Sequence, residues 1–323
     1  MHAVDFGKSR FLLRTYHEHI LAVHGPHDTH EDVVGRMLAD VVALLRFLFA
    51  QPDQWHETLQ LDGHADLVDR LLQPGPADMM SLVSGLRRVT IEAGKRSQLD
   101  RLLATVEDVE GIHGAMLVLG SSVLHSKLPD DVTRLIVHMC GTRPFASEHA
   151  RSMPVFVNET WAQLVIIQLR AHTLAVVASV SQTYAALNSI VSEFETSLLD
   201  SGLDLPVEEP AVRMAQFAGR DTIAFLYHNI RSSVTIAPQP RPGPASDAGR
   251  IGKLFLWFYA HAGVVLSSVG VTKLTLQHEG LIFHARVTDV HKIFILYSGS
   301  LSLDAVEHQS LDLLRNLAIV DGD

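Results

Sequence analysis

The chain has 323 residues, 47 % of them apolar and 19 % charged, with a net charge of −10 when histidine is neutral. This is a globular composition with material for two or three domains of ordinary size, and it excludes disorder as the default state. The acidic balance argues against a nucleic-acid partner, which needs a basic footprint, and the single cysteine, Cys140, excludes an internal disulfide.

Residues 1–10 lack a charged segment followed by an apolar stretch, so no signal peptide is read there. Residues 1–6 read as the end of a strand, as if the chain began inside a sheet. Residues 11–49 then follow a strand–turn–strand–helix layout. FLLRTYH and ILAVHG are the strands, Glu18-His19 the turn, and Val34, Met37, Leu38, Val41, Leu45 and Leu48 share one helix face. Residues 61–110 read as a connector with helices over 66–72, 79–86 and 99–109.

Residues 114–120 and 122–128 read as a hairpin, with Pro129 opening a helix over 132–139. A short strand over 154–158 follows. Strands LVIIQLR and LAVVASV then flank a turn at Ala171-His172-Thr173. The next helix carries Tyr184, Leu187, Val191, Phe194 and Leu198 on one face. After an acidic crossover over 200–219 the layout repeats. Strands over 222–228 and 233–236 are followed by a proline-rich loop over 237–249 and a helix over 251–267. A strand over 272–276 leads to the hairpin LIFHARV and KIFILYS around Asp289-Val290-His291. A last helix carries Leu303, Val306, Ser310, Leu314 and Leu317, with Asp304 and Glu307 in its first turn and Arg315 in its last, as the helix dipole favours.

The fold class is therefore α/β (α+β), antiparallel sheets flanked by helices. The expected segments are a partial first unit over 1–60, a helical connector over 61–110, a second unit over 111–205 and a third over 206–323. The strands are nearly continuous apolar runs. A second sheet face is then expected to be covered too, by another domain or a partner. Residues 254–271 are nearly long enough to span a bilayer, but His261 and a Ser-Ser pair favour a buried amphipathic helix.

The search for chemistry finds little. Among 19 histidines, His17 and His19 are expected on one strand face, with His24, His27 and His30 in the following loop. That pattern reads as a metal cluster or as a polar turn, and neither HExxH nor CxxC accompanies it. GxSxG is absent, no GxGxxG follows a strand, and Gly249–Lys253 lacks the P-loop spacing. Cys140 sits in an apolar stretch and reads as structural. No catalytic residue, metal or cofactor is assigned; the chain is expected to dock other proteins.

The order β-β-α-β-β-β-α, present twice and half-present once, resembles the longin fold in its triple-longin arrangement. The likeness is carried by ADVVALLRFLFAQPDQWHETLQLDGHADLVDRLLQ, GLRRVTIEAGKRSQLDRLLATVED, GAMLVLGSSVLHSKLPDDV and KIFILYSGSLSLDAVEHQSLDLLRNL. The arrangement is similar to subunits of heterodimeric Rab exchange factors: the Mon–Ccz, Hermansky–Pudlak and Fuzzy–Inturned pairs. The connector and second hairpin are most like the Inturned branch. No PDZ segment of the kind Inturned proteins carry is recognisable, and the first longin lacks its opening hairpin and helix.

The resemblance implies a non-catalytic subunit of a Rab guanine nucleotide exchange factor, acting in planar cell polarity and cilium biogenesis. Its first longin would pair with a second longin subunit, Fuzzy-like, Mon-like or the larger Hermansky–Pudlak subunit. The joint surface would grip a Rab GTPase and release nucleotide by remodelling its switch region. The implied location is cytoplasmic, peripheral at membranes or the ciliary base. Three alternatives stay open: a Ccz-type or Hermansky–Pudlak-type subunit in endolysosomal traffic, a longin adaptor without exchange activity, and a divergent enzyme using the histidines. Phe11, Leu13, His19, Arg36 and Asp40 are candidates for the partner or GTPase surface, although Phe11 and Leu13 fit plain core equally. Arg87, Arg88, Lys95 and Arg96 form a local basic cluster that suits an anionic lipid surface or a solvated helix end.

Overall fold

Alternating β-branched and aromatic runs become strands here, and the 3.6-period segments become helices. The computed structural model describes residues 2–6, 9–26, 31–52, 55, 64–72, 86–87, 93–120, 122–140, 150–170, 172–182, 184–203, 217–231, 234–238, 241 and 248–321. Two compact units emerge. One comprises Met1–Gln73 and Ile91–Val207, the other Pro74–Thr90 and Glu208–Asp323.

The first unit opens with β1 (His2–Phe6), β2 (Ser9–Tyr16) and β3 (His19–Pro26), an antiparallel meander in that order. The expected strand over 1–6 is β1. Helices α1 (Glu31–Phe49) and α2 (Ala65–Leu72) follow. The expected helix over 79–86 falls mostly outside the described residues. Its last residue instead belongs to β4 (Leu86–Arg87), a two-residue strand of the second unit.

The first unit resumes with α3 (Ala93–Glu107), β5 (Ile112–Leu119), β6 (Ser122–Ser126) and α4 (Asp130–Cys140). It ends with β7 (Ala150–Val157), β8 (Thr160–Leu169), β9 (His172–Ser179) and α5 (Tyr184–Asp200). Entry to α4 is fixed locally. Ser126 Oγ accepts from the Leu128 N–H at 3.1 Å, and the Thr133 hydroxyl donates to the Leu128 carbonyl at 3.2 Å. Asp130 and Asp131 occupy the first turn, where the dipole favours acids. Helix α5 ends in a Schellman cap. The Leu203 N–H reaches the Leu198 carbonyl, the Gly202 N–H reaches that of Leu199, and Gly202 has φ +67°.

The second unit contains β10 (Thr222–Asn229), β11 (Val234–Ile236), α6 (Ala248–Val269), β12 (Lys273–His278), β13 (Leu281–Val287), β14 (His291–Ser298) and α7 (Leu303–Asp321). Its sheet runs β12-β13-β14-β10-β11-β4, antiparallel except for the β11–β4 pair, which is parallel. Helix α7 is capped by Ser302, whose Oγ accepts from the Ala305 N–H.

The two larger sheets share one strand order. In the first unit it is β6-β5-β9-β8-β7, and in the second β11-β10-β14-β13-β12 continues to β4. Each is second-first-fifth-fourth-third within its own β-β-α-β-β-β-α run. This is an arrangement compatible with tandem longin-like units. The small sheet followed by α1 matches the later half of the same run.

Side-chain alternation explains why these strands are apolar at nearly every position. In the second unit, Leu226, Phe283, Phe294 and Leu296 pack with Phe255 and Phe258 of α6. The alternate set, Phe225, Ile282, Ile293 and Ile295, packs with Val306, Leu313 and Leu317 of α7. Each fully buried side chain of this kind contributes about 1.5–3 kcal/mol. The cover expected from another domain or a partner is thus supplied here by the unit's own helices. The helix read in 251–267 is α6, and among the described residues no helix is long and apolar enough to cross a membrane.

In β5 and β9 both alternate sets are buried as well, including Ala115, Met116, Leu117, Val118, Ala175, Val176 and Val177. The first sheet differs. Its inner set, Leu12, Leu21 and Val23, packs against Val34 and Leu38 of α1. On its other face Phe11 is 36 % and Ile20 69 % exposed, and Thr15, Ala22 and His24 are exposed too.

Candidate docking surface

The first sheet and its helices build the one region where a strand edge, a sheet face and an apolar groove coincide among the described residues. Two residues, His17 and Glu18, turn β2 into β3, closing on the Tyr16–His19 pair. His17 takes φ 50°, a left-handed value uncommon for a residue with a Cβ. The expected shared strand face for His17 and His19 is therefore not found: His17 lies in the turn and His19 opens β3.

The same displacement recurs in each run. His19, His172 and His291 were all expected in turns, and each begins the last strand of its sheet. Packing accounts for this. The His19 ring stacks on Trp55 at 5.5 Å and its Nε2 lies 2.7 Å from the Pro52 carbonyl. His172 is fully buried. His291 Nδ1 lies 2.9 Å from the Tyr227 hydroxyl.

Along the outer edge of β3 runs a cavity of about 350 Å³. His19 to Val23 form one wall, and Leu38, Val41, Leu45, Trp55, Val68 and Leu72 the rest. Trp55 is 2 % exposed and stacks on Tyr16 at 5.7 Å. Its indole Nε1–H is buried with no acceptor among the described residues. The size sits at the lower end of small-ligand cavities, roughly 300–1,000 Å³. Among the described residues the lining is apolar apart from the His19 ring and the Trp55 indole N–H. Just before α2, His64 is held below its ordinary pKa, by burial first and by Arg151 second.

The candidate residues separate. Phe11 and Leu13 point to the open face; Phe11 is exposed, Leu13 is partly buried, and the Phe11 ring lies 4.8 Å from that of His24. His19 faces the groove. Asp40, on α1, pairs with Arg134 of α4 at 3.0 Å, so it is held inside the first unit. The side chain of Arg36 lies outside the described residues, as does Arg88. Arg87 belongs to β4 in the second unit, while Lys95 and Arg96 are exposed in the first turns of α3 in the first unit.

Among the described residues no three His, Cys, Asp or Glu side chains are grouped to hold a metal ion, and His27 and His30 lie outside that set. Burial pushes the Cys140 thiol up to about 12, so it stays protonated at neutral pH. Glu307 binds Arg286 and Lys273, which hold its carboxyl below the usual range, Arg286 most strongly.

Sequence reasoning located the elements of this surface but missed the groove, the open edge and Trp55. The edge depends on which strands pair, a long-range property that no local pattern carries. Comparison with known proteins adds no identity: no protein-family model and no curated protein matches this chain.

Proposed function

We propose that this chain is a non-catalytic, longin-type subunit of a heterodimeric Rab guanine nucleotide exchange factor, with its partial first longin, the β1-β2-β3 sheet and α1, as the element that meets a second longin subunit. The Inturned-like reading, with a Fuzzy-like partner, a role in planar cell polarity and ciliogenesis and a peripheral place at membranes, is the specific form of this proposal. One observation carries it. Two sheets with one strand order are buried on both faces along their central strands, while the sheet matching their later half keeps an exposed face and an edge that no described strand pairs. An apolar strand edge beside a bare face is a surface built to be covered. On this reading its work would be binding, and any effect on nucleotide release would come from remodelling a bound GTPase.

Co-expression with a Fuzzy-like subunit tests the reading. The expected result is a stable complex that accelerates release of fluorescent GDP from at least one member of a Rab panel. A stable complex without acceleration leaves the adaptor reading. Failure to form a complex with Fuzzy-like, Mon-like or Hermansky–Pudlak-type subunits refutes the proposal.

A further inference from the structure

Helices α4 and α6 occupy the same place in the two β-β-α-β-β-β-α runs, and their outer sides differ in chemistry. The exposed residues of α4 are Asp130 and Asp131. α5 exposes serines, Glu193, Thr196 and Asp200, and α7 exposes Asp304, His308, Arg315 and Asn316 after its first residue, Leu303. These are ordinary solvated faces. α6 has no Asp or Glu in its 22 residues. Its exposed side chains run Arg250, Lys253, Trp257, His261, Val264 and Ser268, and spacings of three and four keep them in one line.

Trp257 is 42 % and Val264 49 % exposed, two turns apart and so separated by about 10 Å along the axis. Val271, 40 % exposed, continues the line past the helix end. The indole is held in place. It stacks on the His261 ring at 5.6 Å, lies tilted to the His278 ring at 5.6 Å, and stands edge-on to Phe283 at 6.2 Å. A large apolar ring that is exposed yet braced by three neighbours loses little freedom on binding. Cations bracket the line. Arg250 and Lys253 precede Trp257, and Lys273 opens β12 just beyond Val271. The acids nearby are engaged in ion pairs, Glu279 with Arg250, and Glu307 with Lys273 and Arg286.

We infer that this side of α6 rests on the surface of an anionic lipid bilayer, with Trp257, Val264 and Val271 entering the boundary between headgroups and acyl chains and Arg250, Lys253 and Lys273 at headgroup level. The chemistry selects this occupant. An indole is apolar in its body and polar at its N–H, which suits the interfacial zone of a bilayer. Lysine and arginine lay their stems along apolar surface and keep the charge at the headgroups. A helix side with single apolar anchors, flanking cations and no acid is the pattern of a helix lying in the interface plane. An acidic protein segment would answer the charge, but it would have to supply a shaped cleft for a protruding indole, whereas headgroups part around one. The helix lies on the membrane and does not cross it, in keeping with its length and polarity. The inference rests on the peripheral membrane placement proposed above and gives that placement a contact site apart from Arg87, Lys95 and Arg96.

Sedimentation of the full chain with vesicles of phosphatidylcholine and phosphatidylserine tests this. The wild type is expected to bind. Val264→Asp should bind about tenfold or more weakly, and Lys253→Gln about fivefold more weakly. Val264→Trp should bind more tightly, a gain that loss of folding cannot produce, and both Val264 substitutions fall at an exposed site. Lys95→Glu combined with Arg96→Glu should leave binding unchanged. The inference is overturned if the wild type does not sediment with the vesicles, if the Val264 and Lys253 substitutions leave binding as it was, or if the Lys95 and Arg96 substitutions abolish it. A purified acidic protein whose binding Val264→Asp removes, with no vesicle binding by the wild type, assigns the face to protein and overturns it as well. Vesicle binding by a chain whose complexes release no nucleotide sinks the exchange reading alone, and nucleotide release by a complex that ignores vesicles sinks this inference alone.

Discussion

His284 makes the second unit sensitive to acid in a way that can be calculated. It lies on β13, 1 % exposed, with Nδ1 2.8 Å from the Thr275 hydroxyl and Nε2 buried without a partner among the described residues. Burial, then Arg286, hold its pKa down to about 4, with Lys273 adding slightly and Glu307 opposing. An unfolded histidine titrates near 6.5, so between that pH and about 4 the unfolded chain binds a proton that the folded chain refuses. The stabilisation from neutral His284 is present above pH 6.5 and is lost as pH falls through about 4. At 1.36 kcal/mol per pH unit, the loss totals about 3 kcal/mol. Urea denaturation at pH 7 and pH 4, for the wild type and His284→Leu, isolates this term because the other titrating groups are common to both. Trp257 is the only tryptophan of the second unit, so 5-fluorotryptophan labelling gives that unit its own fluorine signal. The wild type should lose about 3 kcal/mol more than the variant across this range. Parallel losses would refute the reasoning and mean that the imidazole is protonated in the folded state at little cost.

Three further outcomes are expected. Phe258→Ala removes a ring 5.1 Å from Phe283 and 6.3 Å from Phe294, and should cost the second unit about 3–5 kcal/mol by the Trp257 signal. Gly299→Ala would drive a Cβ into the Gly280 backbone carbonyl; backbone cannot rotate away, so about 1–3 kcal/mol of destabilisation is expected in the same assay. The Asp40–Arg134 pair has side chains 24 % and 27 % exposed, and a double-mutant cycle should give a coupling below about 1 kcal/mol that shrinks with salt.

Much of the architecture was legible because burial on both faces writes itself into composition. LVIIQLR and KIFILYS read as strands wherever they are placed, and the spacing of Val34, Leu38, Val41 and Leu45 reads as a helix. Turn chemistry was less legible. The β7–β8 turn uses Asn158 and Glu159, both at positive φ, where the glycine of a hairpin signal would ordinarily stand. Histidine misled three times, because a polar letter after a turn looks like more turn until its ring finds Trp55, a closed core or the Tyr227 hydroxyl. Leu86 looked like the end of a helix, because the two residues of β4 are too few to show a period and their strand partner, β11, lies far along the sequence. At the docking surface, Phe11 and Leu13 were found as apolar strand residues. That their face is open follows only from the pairing of whole strands.

The two-residue strand β4 carries a consequence for dissecting this chain. Because Leu86 and Arg87 pair with Val234 and Thr235, the second unit borrows an edge from a segment that precedes most of the first. No single cut separates the two. A fragment beginning at Glu208 would expose the outer side of β11, and one ending at Val207 would carry an orphaned β4. Intact assembly therefore needs the whole polypeptide from the connector onward. After a protease nick between Val207 and Glu208, the β4–β11 pairing would still join the two pieces without a covalent bond.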